Sequence, residues 1–83
     1  MLYTAKCFWP EVSAHELERV VGRVRSLSYR GSLLFPDDEL VLCLFDTGSR
    51  EEVLKQSERA GLPCERVMRT LWLGATSIER SFG

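Results

Sequence analysis

Hydrophobic and polar positions change period several times along the chain, and each change marks an element. Residues 2–9 hold Tyr3, Thr4, Cys7, Phe8 and Trp9, types that favour strands or buried sites, and Pro10 ends the run; this predicts a first strand. Ser13 followed by Glu16 has the spacing of a capping box. Ala14, Leu17, Val20, Val21, Val24 and Leu27 then recur in steps of three and four, one stripe of a first helix, with Glu18, Arg19, Arg23 and Arg25 mostly off it. Gly22 interrupts that stripe at a cost of about 1 kcal/mol relative to Ala.

Residues 28–35 predict a second strand and residues 40–46 a third. Pro36, Asp37, Asp38 and Glu39 form the turn of the hairpin between them. Ser49 and Glu52 repeat the capping-box spacing, and the second helix runs from there to Ala60. Gly61, Leu62 and Pro63 supply its end: a left-handed residue, an apolar contact and a stop. Residues 66–73 predict a fourth strand. The expected organisation is one domain over residues 1–74 and a polar tail over 75–83.

The order βαββαβ implies a ferredoxin-like α+β fold, with both helices on one face of a four-stranded antiparallel sheet. The third strand, Leu40, Val41, Leu42, Cys43, Leu44 and Phe45, is apolar on both faces, whereas a strand with one wet face alternates. Something has to cover the second face. In a chain of 83 residues the expected cover is a second copy of the same sheet, giving a homodimer of the dimeric α/β-barrel type; the competing reading is a long loop or the tail folded over the sheet.

Composition narrows the function more by exclusion than by assignment. The chain is 45% hydrophobic and 28% charged, ordinary for a globular protein, and its formal net charge of −1 makes no electrostatic case for nucleic acid or an anionic membrane. The central third strand has one Phe and no base, which sets an RNA-binding role aside. No apolar run approaches the ~18 residues of a membrane span, and the start has no basic segment leading into an apolar one. The three cysteines, Cys7, Cys43 and Cys64, are odd in number and lack CxxC spacing. Reduced, mostly buried thiols and a cytoplasmic location are expected.

The candidate chemistry is sparse. Cys7 and Cys43 fall on neighbouring strands, where a two-thiolate metal site competes with ordinary small buried residues. Cys64 follows Pro63 and reads as partly exposed, and no motif around it points to redox chemistry. His15, the single histidine, sits just after a helix N-cap and reads as a surface residue before it reads as a ligand. Ser57 lies near the apolar face of the second helix, where its hydroxyl is expected to bond back to a carbonyl. In strand one, Thr4 and Lys6 share the parity opposite Tyr3, Ala5 and Cys7. Arg30 and Ser32 share a parity in strand two, and Arg66, Met68, Thr70 and Trp72 share one in strand four. On a helix-free face these sets would line a space suited to a small, anionic ligand, with Lys6, Arg30, Ser32 and Thr70 as its polar contacts. The competing reading is that they are solvated edge residues whose stems cover the core.

The segments Leu42-Cys43-Leu44-Phe45-Asp46, Ser49-Arg50-Glu51-Glu52-Val53, Glu58-Arg59-Ala60-Gly61-Leu62-Pro63 and Arg66-Val67 resemble the nickel-binding-protein-like family of small bacterial proteins, most of it a domain of unknown function. The likeness extends more loosely over residues 2–73. It implies a ferredoxin-like fold, a homodimer and binding of nickel or another transition metal. Members often carry a histidine where this chain has Ser57, and another around Tyr29, Arg30, Gly31 and Ser32, so the family's ligands do not transfer. A metal would have to use Cys7, Cys43 and His15. The functional expectation is a small dimeric binding protein for a metal or small ligand. The alternatives are a dimeric barrel enzyme of the monooxygenase or isomerase kind and a regulatory interaction subunit.

Overall fold

The structure, a computed structural model, describes residues 1–24 and 28–74. Its elements are β1 (Leu2–Phe8), α1 (Ala14–Val21), β2 (Tyr29–Phe35), a 3-10 turn (Pro36–Asp38), β3 (Leu40–Asp46), α2 (Arg50–Ala60) and β4 (Cys64–Thr70). The four strands form one antiparallel sheet in the order β2-β3-β1-β4, and this is the ferredoxin-like βαββαβ layout that the hydrophobic pattern implies. No described helix is long and apolar enough to cross a membrane. Leu27 and the tail over 75–83 lie outside the described residues.

Alternation along the strands sorts side chains between two faces. Ala5 and Cys7 of β1, Val41, Cys43 and Phe45 of β3 and Val67 of β4 point to one side. There they form a single core with Leu17 and Val20 of α1 and with Val53 and Ala60 of α2. Each such fully buried Val or Phe contributes about 1.5–3 kcal/mol of burial free energy. Phe45 is wholly buried and meets the Tyr29 ring edge-on at 5.6 Å.

Both helix starts form as their sequences predict. Ser13 Oγ accepts the Glu16 amide at 3.0 Å, and Ser49 Oγ accepts the Glu52 amide at 3.4 Å. The end of α2 is a Schellman turn. Gly61 adopts φ 80°, its N–H donates to Glu58 O at 3.1 Å, and the Leu62 N–H donates to Ser57 O at 2.9 Å. The Leu62 side chain is buried against the core.

Several boundaries differ from the sequence reading. Helix α1 stops at Val21 instead of following its stripe onward. From Gly22 the chain tightens into i→i−3 bonds, Arg23 N–H to Val20 O at 3.0 Å and Val24 N–H to Val21 O at 2.9 Å. Strand β4 begins two residues earlier than expected, at Cys64, and ends at Thr70, leaving Leu71, Trp72 and Leu73 beyond it and exposed. Trp9 falls just past β1, although its amide still donates to Glu39 O at 2.8 Å.

Candidate functional site

Two places in the fold gather chemistry-bearing residues. The first is the face of the sheet that carries no helix. Its register sets Thr4 opposite Leu44 and Met68, and Lys6 opposite Leu42 and Arg66. The centre is apolar and closely packed: Leu44 and Thr4 are buried although they point away from both helices. Thr70 Oγ1 donates to the Met68 carbonyl at 3.0 Å, so the Thr4 hydroxyl is the donor in the 2.6 Å Thr4–Thr70 contact. Around this centre the apolar surface is open, with Leu33 and Phe8 both 53% exposed and Phe35 also exposed. One end carries cations. Lys6 lies 3.8 Å from Glu65, and Arg66 is its register partner. The opposite end carries Asp46, held by the Met1 ammonium at 3.0 Å and approached by Arg30 at 3.8 Å. That ammonium, chiefly by its hydrogen bond, keeps the Asp46 carboxyl below the usual range, with Arg30 adding to the effect.

Of the residues expected on this face, Lys6 and Thr70 are there. Arg30 sits on the irregular stretch at the start of β2 and reaches towards Asp46, away from Lys6. Ser32 is elsewhere. The register of β2 against β3 slips between Tyr29 and Gly31, where Gly31 takes φ 142°, and the slip turns Ser32 under the helices, opposite Cys43. Simple alternation from Arg30 fails at that bulge. Arg66 belongs to the face by its pairing with Lys6.

The second place is a cluster of thiols and hydroxyls beneath the helices. Cys7 and Cys43 lie on adjacent strands, as the sequence suggests, and both are fully buried. Cys64 joins them, because the early start of β4 places it opposite Cys7. The Cys7 thiol donates to the Ala5 carbonyl at 3.8 Å and the Cys64 thiol to the Arg66 carbonyl at 3.5 Å. Ser32 Oγ donates to Cys43 Sγ at 3.1 Å, and Tyr29 Oη in turn donates to Ser32 at 2.6 Å. The neighbouring Cys7 thiol, and then the Ser32 hydroxyl, lower the Cys43 pKa against the opposing pull of burial, so Cys43 is the most acidic of the set. The interaction with Cys43 and then burial push Cys7 far up. Burial first, and then the nearby Cys43 charge, push Cys64 up as well.

Ser57, wholly buried on α2, makes no hydrogen bond that satisfies its hydroxyl, although it lies close enough to Cys64 to favour that thiolate slightly. The expected bond back to a carbonyl is not made. A buried hydroxyl without a partner costs about 1–3 kcal/mol. Ser57→Ala is therefore expected to raise stability by about 1 kcal/mol, read as a higher urea midpoint at unchanged slope; a loss of stability would show that the hydroxyl is satisfied.

Nickel fits this donor set poorly. His15 is exposed on the first turn of α1, away from the buried thiols, and Cys7 keeps its proton. Among the described residues no three His, Cys, Asp or Glu side chains come together in a way that could hold a metal ion. The site residues Cys7 and Cys43 meet; His15 does not join them.

No family model and no curated protein matches the chain. Among solved structures, the crystal structure of SCO4226 from Streptomyces coelicolor A3(2) is similar at a TM-score of 0.77 and 14% sequence identity, covering 89% of this chain and 100% of that one. That likeness shows the fold.

Proposed function

We propose that this chain is a non-catalytic binding domain that works as a homodimer, two helix-free faces closing on each other around a small anionic, partly apolar molecule. The observation that carries this reading is the helix-free face itself: open apolar surface at Leu33, Phe35 and Phe8 around a packed centre, with Lys6 and Arg66 paired at one end. A second copy supplies the missing apolar cover, and the cations supply the pole for a carboxylate or similar head group. The centre of the face, Thr4, Leu42, Leu44 and Met68, offers no acid or base to a reacting group, which favours binding over the barrel-enzyme alternative. Three free cysteines fit a cytoplasmic setting. The metal form of the reading, nickel included, has no donor set of three to support it among the described residues.

Calorimetric titration with hexanoate and, separately, with Ni²⁺ tests the choice of ligand. Saturable hexanoate binding that weakens at least about tenfold in Lys6→Ala and in Arg66→Ala is expected, since each charge-assisted hydrogen bond contributes about 1.5–3 kcal/mol. Stoichiometric Ni²⁺ binding with no response to hexanoate would contradict it.

A further inference from the structure

The thiol cluster has a geometry that separates its two possible cross-links. Cys7 and Cys64 are direct register partners across β1 and β4. Residues directly opposite in an antiparallel pair have Cα atoms about 4.5–5.5 Å apart, inside the span of about 4.4–6.8 Å that a disulfide bridges. Cys43 stands differently. Its register partner is Ala5, while Cys7 faces Val41, so Cys7 and Cys43 are diagonal neighbours. Diagonal positions lie about 7–8 Å apart, beyond what a disulfide spans without backbone movement. Both side chains belong to the core side of the sheet, Cys7 within the core and Cys64 packed against it. They also differ in access, since Cys7 and Cys43 are fully buried and Cys64 is partly exposed.

We propose that Cys7 and Cys64 are a redox pair that closes into a reversible cross-strand disulfide between β1 and β4 when a hydroperoxide oxidises Cys64. The Cys64 thiolate attacks one peroxide oxygen, the O–O bond breaks and hydroxide leaves, which takes up a proton to become water. The sulfur is then a sulfenic acid. Cys7 gives up its proton and its sulfur attacks the Cys64 sulfur, forming the S–S bond and releasing the sulfenic oxygen as a second water. In total two thiols and one hydrogen peroxide become one disulfide and two waters. The bulge at Glu65, where β4 spends two steps against one of β1, gives the local slack for the two sulfurs to approach. Closure leaves Cys43 as a thiol, with Ser32 Oγ on its sulfur at 3.1 Å. The reaction is slow at neutral pH and faster in alkali, because Cys64 has to ionise first and burial resists that.

The test is to expose the purified, reduced chain to hydrogen peroxide between about pH 7 and pH 9, block remaining thiols under denaturing conditions, and map peptides without reduction. The expected product is a single intramolecular Cys7–Cys64 link, formed faster at the higher pH and reversed by dithiothreitol, with Cys43 blocked as a free thiol. Cys43→Ser retains the link and Cys64→Ala loses it, and the latter alters a partly exposed position, so its folding does not depend on the fully buried core. Three blocked thiols after oxidation, over-oxidised Cys64 without a link, or a link that includes Cys43 would each overturn the proposal.

Discussion

Phe45→Ala is expected to cost about 3–5 kcal/mol, the range for truncating a large buried aromatic side chain. Phe45 is wholly buried, sits on the second strand of the sheet order beside β1, and meets Tyr29 edge-on at 5.6 Å, a ring contact worth about 0.5–1.5 kcal/mol beyond area. A chain of 83 residues has roughly 4–12 kcal/mol of total stability, so the loss is a large part of the whole. The thermal midpoint should fall by roughly 12–40 °C, with part of the population unfolded already at physiological temperature. Leu54→Ala is the natural control. That leucine is 41% exposed on α2, and its loss should cost well under half as much. Comparable costs at the two positions would mean that the core is not centred where the register of β3 puts it.

Leu33→Glu is expected to split the proposed homodimer while leaving each copy folded. Leu33 is 53% exposed on the edge strand β2, on the helix-free side, so a carboxylate there is well tolerated by an isolated copy. Against a second sheet it loses about 1.5–3 kcal/mol of apolar burial and adds the cost of desolvating a charge, several kcal/mol. Even a loss of about 3 kcal/mol, less than that sum, weakens association by roughly 100-fold or more. The measurement is the molar mass by light scattering at matched concentrations, with circular dichroism to confirm the fold. A variant that associates as the parent does would remove Leu33 from any interface.

Much of this architecture is legible in the sequence because it depends on local chemistry. Ser13 with Glu16, Ser49 with Glu52, and Gly61-Leu62-Pro63 each satisfy backbone groups within a few residues, so spacing alone identifies them. The span of β3 and its two-sided apolar character are read directly, as is the hairpin through Pro36–Asp38. The site is less legible, because it depends on pairing register. Counting alternately from Arg30 sends Ser32 to the open face, but the slip between Tyr29 and Gly31 reverses it, and only the partner strand reveals that slip. Cys64 illustrates the same effect from the other side of the sheet. Pro63 suggests a loop, yet β4 starts at once and its bulge sets Cys64 against Cys7, bringing three thiols together that are far apart in sequence. Gly22 is the intermediate case: its cost to a helix is visible in the sequence, but the matching apolar residues beyond it draw the eye past the point where α1 ends.

The claim on which the functional account rests is that the helix-free face is covered by a second copy. Sedimentation velocity of the unmodified chain over a dilution series in the micromolar range tests it most directly. The account predicts a single species at twice the 9.5 kDa of one chain, giving way to the single-chain mass only at high dilution. A species at 9.5 kDa throughout, with no dependence on concentration, would contradict it.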